Sequence, residues 1–431
     1  MKLNIEQIKK INQTNRFIIE LCDYFADFEE ELIFSDERIK EIVEEEEDIE
    51  TIEFLFPFEG DDTSIKTEEF LNLCDEIKSI QIINTGHIKT ELRSYYIVET
   101  NDSNEKYIIQ DCHENQLIIP SQGITINIVS DSFIVGLAAT KLEEYDSDYW
   151  GTRNQYLVIE IIYQNKNNVL SIEKEKELVN SYIFEIADST DIALFYDEIR
   201  CPTNDFYDLK EKAEETPTQI LRDLESYNEG MRLFVSAVQI QDSELKFLNF
   251  YKVLEHFSPI AVNIEANELM RKKLDAPKSS FENGDYIRSI FDLANSMRDK
   301  FNDEDLIKAS FNICFDFVGL FNKLPESIKK KIRKHLAGQD LNYSTDIQKL
   351  TTARNIAGKI IYKTRNKVVH AKSNFTLTGD EISTDELPEL NEFMKEASSQ
   401  AIRWYSRQPN HLKLEVLNNH RLQAGGFKLA D

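Results

Sequence analysis

Residues 200–219 read RCPTNDFYDLKEKAEETPTQ. The stretch is polar, carries two prolines and lacks an apolar period, so neither a strand nor a buried helix face is written into it. The chain changes texture on either side of it, and the fold reading turns on that change.

Upstream, from about residue 51, short segments rich in Ile, Val, Tyr and Phe follow one another: TIEFLFPF (51–58), KSIQIINTGHI (78–88), RSYYIVET (93–100), EKYIIQD (105–111), NQLIIP (115–120), ITINIVS (124–130), SFIVGLA (132–138), QYLVIEIIYQ (155–164) and SYIFEIAD (181–188). Turn-forming clusters such as TNDSNEK and YQNKNN lie between them. This pattern predicts strands and hairpins over roughly 50–200. The first 25 residues instead place Ile8, Ile11, Phe17, Ile18, Leu21 and Tyr24 on a helical stripe.

Downstream the period is helical. SELKFLNFYKVLEHF (243–257) spaces Phe247, Phe250, Tyr251 and Leu254 by three, one and three, with Ser243 as the expected N-cap and Pro259 as the expected stop. IRSIFDLANSMRDKF (287–301), EDLIKASFNICFDFVGLFNKL (304–324), PESIKKKIRKHLAG (325–338) and ELPELNEFMKEASSQAIRWYSRQ (386–408) continue the pattern. Gly338 is the expected C-cap of the third of these. The fold class that follows is α+β: a mostly β domain over 1–200, a linker over 201–217, and an all-α bundle over 218–425.

At 431 residues, two domains are expected on length alone. Cys22, Cys74, Cys112, Cys201 and Cys314 are scattered, with no CxxC pair, and read as free thiols in a reducing cytoplasm. The N-terminal MKLNIEQIKKINQ has no apolar core of a signal peptide, and no apolar run is long enough to span a bilayer. No membrane partner is expected.

The formal charge of −28 is unevenly placed. Residues 1–200 hold 17 Lys and Arg against 44 Asp and Glu, whereas residues 323–372 hold 13 against 3. Between Thr351 and Thr378 there is no acidic residue, while Arg354, Lys359, Lys363, Arg365, Lys367 and Lys372 fall inside that window. Exposed charges act within a Debye length of about 8–10 Å, so a polyanion can bind a local basic surface on an acidic protein. These residues are the candidate RNA-binding set. KKKIRK (329–334) reads equally as a solvated helix face.

Within the window, TRNKVVHAKSNF (364–375) holds Arg365, Asn366 and His370. A guanidinium offers a planar fork of donors to phosphate oxygens, and an imidazole exchanges protons near neutral pH. On a helix Asn366 and His370 would lie about 40° apart, and Arg365 and His370 about 140° apart. The latter pair would converge only by a wrapping side chain or with a second copy.

RNKVVH resembles the R-x4-H motif of the HEPN superfamily, and the helix at 243–257 resembles the opening helices of its Apea-like group, found in prokaryotic antiviral proteins. The likeness spans roughly 218–425 and assigns no family to residues 1–200. It implies a helical bundle acting as a metal-independent endoribonuclease, with no cofactor, in a homodimer that faces two motifs across its interface. It implies that Arg365 stabilises the scissile phosphate, that His370 moves the 2′-hydroxyl proton, and that Asn366 orients His370 or bonds a phosphate oxygen. Glu255 would be an anchor for Arg365 or a surface residue. The implied partner is RNA, tRNA among the candidates, with a phage-derived trigger at the N-terminal domain and abortive infection as the outcome.

Other constellations are thinner. Cys112 and His113, with His87 upstream, lack zinc-ligand spacing. No GxGxxG or GxxxxGK[ST] occurs. Tyr149-Trp150 reads as a partner contact or a packed turn. EIVEEEEDIE (41–50) reads as a solvated face or as part of an acidic half that shields the basic one. A non-catalytic interaction module and an RNA-binding module without turnover remain the alternatives to a nuclease.

Overall fold

The computed structural model describes residues 1–21, 33–53, 64–101, 103–110, 115–130, 132–144, 156–200, 221–275, 284–298, 302–369 and 379–413. The linker stretch 201–217, Cys22, Cys112, His113, Tyr149, Trp150, His370 and Lys372 lie outside them. The chain divides into two compact units, Met1–Asp223 and Leu224–Asp431. It is α+β, with a β-rich N-terminal region and a helical C-terminal half.

The first unit opens with α1 (Ile5–Leu21) and α2 (Asp36–Glu44), then the short pair β1 (Thr51–Glu53) and β2 (Ser64–Lys66), then α3 (Thr67–Lys78). β3 (Gln81–Asn84), β4 (His87–Lys89) and β5 (Arg93–Glu99) follow, then α4 (Ser103–Gln110), β6 (Leu117–Ile119), β7 (Ile124–Val129), α5 (Phe133–Lys141), β8 (Leu157–Tyr163), α6 (Ile172–Thr190) and β9 (Phe195–Tyr196). The sheet runs β3-β4-β5-β8-β7-β6, each neighbour antiparallel, with β9 paired to the end of β5.

Strand alternation sorts the sheet into two faces. Ile88, Tyr95, Ile97 and Val158 point into a core shared with Ile8 and Ile11 of α1, Phe70 and Leu73 of α3, and Phe133 and Leu137 of α5. His87, Lys89, Ser94, Tyr96 and Tyr163 point the other way, toward Glu175 of α6.

Three segments read as strands are helical. EKYIIQ lies in α4, FIVGLA in α5, and SYIFEIAD inside the 19-residue α6. SFIVGLA is apolar throughout, and a run buried on all sides has no period to read. Its helix is set by Ser132, whose Oγ accepts from the Val135 amide. In SYIFEIAD the alternation Tyr182, Phe184, Ile186 looks β, yet Val179, Tyr182, Ile183 and Ile186 are buried at helical spacing. The Ser171 cap, accepting from the Lys174 amide, fixes the start of that helix well upstream.

The second unit contains α7 (Glu229–Val238), α8 (Ser243–Leu274), α9 (Gly284–Arg298), α10 (Asp303–Ile313), α11 (Phe317–Leu320), α12 (Glu326–His335), α13 (Ile347–Val369) and α14 (Leu387–Ser406). α8 is the central helix and packs on α7, α10 and α14. Its cap is Asp242, which accepts from the amides of Glu244 and Leu245, one residue before the expected Ser243.

Pro259 does not stop α8; the helix runs through it for fifteen more residues. A proline removes the N–H that would reach the carbonyl four residues back, here that of Glu255. The Ser258 hydroxyl donates to the Glu255 carbonyl instead, at 2.8 Å. Burial of Phe257, Ile260 and Ala261 then holds the helix together across the proline.

Phe311, Phe315, Phe317 and Phe393 pack ring to ring where α10, α11 and α14 meet. α13 crosses α10 closely at Gly358, where an added Cβ would stand 3.3 Å from the Lys308 Cα. α12 is capped at Leu336, two residues before the expected Gly338, whose amide returns to the Arg333 carbonyl at 2.9 Å, with positive φ at Ala337 and Gly338.

Candidate phosphate-binding face of α13

Helix α13 carries six of the eight candidate site residues. Its buried positions are Ala353, Ala357, Gly358, Ile360, Ile361 and Thr364. At about 100° per residue the cations separate into two groups around it. Arg354 and Arg365 are eleven residues apart, so they share a face about 16 Å along the axis. Lys359, Lys363 and Lys367 step by four along another face, roughly 160° from Arg365 at Lys363. The single basic surface expected from the sequence is therefore divided.

Arg365 is half-buried. Its guanidinium sits over the ring of Tyr251 on α8, 5.7 Å from the centroid, and Nη1 donates to Oδ1 of the adjacent Asn366 at 3.1 Å. Among the described residues it has no ion pair with a carboxylate. Tyr251 is buried, and among the described residues its hydroxyl has no hydrogen-bond partner. Burial, with the Glu255 charge adding to it, pushes that phenol above its usual range, so it stays protonated. Glu255 thus acts on the Tyr251 beneath the arginine and makes no ion pair with Arg365 among the described residues.

Arg354 is also half-buried. Its Nε is enclosed without a partner among the described residues, and desolvation lowers its pKa against the opposing pull of Asp316. Asp316 is itself the N-cap of α11 and accepts the Tyr343 hydroxyl at 2.5 Å.

The lysine face is occupied from within the chain. Lys363 Nζ is 2.8 Å from Oδ2 of Asp380, Lys359 is 3.6 Å from the same oxygen, and Lys331 of α12 is 3.4 Å from Oδ1. The Lys363 hydrogen bond, more than the competing burial, holds the Asp380 carboxyl below its usual pKa. Lys367 donates to the Ile382 carbonyl at 2.9 Å. The Ile382 amide donates to Thr364 Oγ1 at 3.0 Å, while Thr364 donates to the Ile360 carbonyl. Gly379, at φ +80°, forms the turn that presents Asp380.

Sequence reasoning missed Tyr251 and Asp380. Tyr251 reads as one more core position of α8. Asp380 was visible as the first acid after the acid-free window, but nothing in the sequence folds it back onto α13. Within KKKIRK, Arg333 pairs with Glu326 and Asp340, and Lys329 with Glu326.

The first unit holds a second polar cluster. Glu175, wholly buried, accepts from Lys89 and Tyr163 at Oε1, each at 2.6 Å, and from Ser94 and Tyr96 at Oε2, each at 3.1 Å. His87 stacks on Tyr96 with centroids 4.1 Å apart and bonds Ser94 at 2.8 Å. The Ser94 proton goes to Glu175, so His87 Nε2 is the donor to Ser94. Burial alone would raise the Glu175 carboxyl, but the close approach of His87 and the hydrogen bonds from Lys89 and Tyr163 outweigh it and hold the pKa at about 2. The donors saturate the carboxylate, so this cluster ties the sheet to α6.

Among the described residues no group of three or more His, Cys, Asp or Glu is arranged to hold a metal, and no helix is long and apolar enough to cross a membrane. Compared with known proteins, the chain matches no family model, no curated protein and no solved structure.

Proposed function

We propose that the chain is a metal-independent endoribonuclease of HEPN type, acting as a homodimer in prokaryotic antiviral defence. The supporting observation is Arg365: a half-buried guanidinium, backed by the Tyr251 ring, with no carboxylate partner among the described residues. A cation held in place and left unneutralised is what stabilisation of a charged phosphorane requires.

In this reading a ribose 2′-hydroxyl attacks the adjacent phosphorus and loses its proton to His370. The bond to the 5′-oxygen breaks, and that oxygen takes a proton. The products are a 2′,3′-cyclic phosphate and a 5′-hydroxyl. Arg365 binds the non-bridging oxygens, and Asn366, already bonded to Arg365, steadies the fork.

The test is end-group analysis of RNA incubated with the purified full chain in EDTA. Cyclic phosphate ends are expected from wild type. Arg365→Ala and His370→Ala should each lower the rate about a hundredfold or more. Arg365→Lys should not restore it, because an ammonium lacks the fork. A metal requirement, or ends of another kind, sinks the mechanism. RNA bound equally by all variants and never cut leaves a binding module.

A further inference from the structure

The lysine face of α13 has a stoichiometry that a structural ion pair does not need. Three ammonium groups, from Lys331, Lys359 and Lys363, converge within 2.8–3.6 Å on one carboxylate. Lys367 continues the row and is met by a carbonyl, not by an anion. Asp380 is thus shared by three ammonium groups.

The row has a direction as well as a charge. Lys359, Lys363 and Lys367 advance by one turn each, which spreads them over about 12 Å along the helix. A ligand that satisfies them must present several anionic oxygens in a line. The half-exposed Asp380 carboxylate and the Ile382 carbonyl supply two such oxygens.

We propose that Lys331, Lys359, Lys363 and Lys367 form a track for the phosphodiester backbone of single-stranded RNA, and that the turn at 379–382 occupies it as an internal competitor. Asp380 stands where a phosphate would bind, and the Ile382 carbonyl stands where the next phosphate oxygen would bind. RNA engages the track by displacing the Asp380 carboxylate, while the Thr364–Ile382 bond keeps the turn close by for return. The inference rests on the reading that the partner is RNA, and it adds Lys331 of α12 to the binding set. It does not depend on whether the RNA is cut.

The test measures binding alone. Full-length Arg365→Ala protein is titrated into fluorescein-labelled 20-nucleotide oligouridylate, with anisotropy as the readout, across a range of salt concentrations. Asp380→Ala in that background should bind about five- to tenfold more tightly. The slope of log affinity against log salt should steepen by about 2, as up to three freed lysines engage a single strand. Adding Lys331→Gln should cancel part of the gain. Asp385→Ala, which removes an equal charge from an exposed residue that pairs with none of these lysines among the described residues, is the control.

Equal gains from Asp380→Ala and Asp385→Ala would show a general charge effect and overturn the proposal. So would an unchanged or weaker affinity for Asp380→Ala with an unaltered circular dichroism spectrum. If Asp380→Ala loses its fold, Asp380→Asn and the Lys331→Gln single variant carry the test. Asp380→Asn should also tighten binding and Lys331→Gln weaken it, and no change in either overturns the track. Tighter binding by Asp380→Ala, with no cleavage by the chain that retains Arg365, would keep this inference and remove the nuclease reading. Cleavage with binding insensitive to Asp380 would do the reverse.

Discussion

Tyr163 of β8 donates its hydroxyl to Oε1 of Glu175 on α6, 2.6 Å away, inside a carboxylate shell that Lys89, Ser94 and Tyr96 complete. A buried anion with this many donors is safe only while all of them stay in place. Removing part of such a network leaves the rest uncompensated.

Glu175 should therefore govern acid stability. Its folded pKa of about 2 lies below the ordinary carboxylate value, so its contribution is fully present above about pH 4.5 and is lost as pH falls toward 2. The loss should amount to about 3 kcal/mol. Glu175→Gln should destabilise the first unit by about 3 kcal/mol at pH 7, because Lys89 is left without its anion. It should also flatten the dependence of stability on pH between 5 and 2. Urea denaturation at a series of pH values reads both, and an unaltered acid slope would contradict the assignment.

The proline in α8 yields a second expectation. Ser258→Ala removes the hydroxyl that serves the Glu255 carbonyl and should cost about 1–2 kcal/mol. In a Pro259→Ala background the backbone N–H is restored, and the same substitution should cost less than about 0.5 kcal/mol. A double-mutant cycle followed by urea denaturation gives the coupling. Equal costs in both backgrounds would mean that the hydroxyl does not replace the missing amide.

Tyr251 offers a third. Its buried hydroxyl has no partner among the described residues, so Tyr251→Phe should be neutral or stabilising by about 1 kcal/mol and should leave RNA cleavage at the wild-type rate. Tyr251→Leu removes the ring beneath Arg365 and should lower cleavage while the fold is retained. Cleavage lost in Tyr251→Phe would instead assign the phenol a direct part in the chemistry.

The strand β7 was legible because ITINIV alternates as its burial does, and β5 and β8, buried along nearly their whole length, were legible as short runs rich in Ile, Val and Tyr. α8, α10 and α14 were legible by the helical period. SFIVGLA and SYIFEIAD were not, since total burial erases the period in one and a short window mimics the wrong one in the other. Pro259 misled for a related reason: the rule for proline concerns a missing hydrogen bond, and Ser258 supplies it.

On α13 the absence of acids drew attention to the helix, but the cations were read as one set and not as two faces. Spacings of four among Lys359, Lys363 and Lys367, and of eleven between Arg354 and Arg365, already encode two faces. What the sequence could not encode was the return of Asp380 and Ile382 onto one of those faces, a contact that depends on the path of the chain beyond the helix.

Cys74 on α3 and Cys314 at the end of α10 are both buried free thiols, and burial raises the pKa of each. A thiol that is both enclosed and protonated reacts with an alkylating reagent only when its surroundings open. One such group sits in each unit. With Cys22, Cys112 and Cys201 replaced by serine, the chain would carry its own pair of clocks, one timing the breathing of the sheet-bearing half and the other that of the bundle.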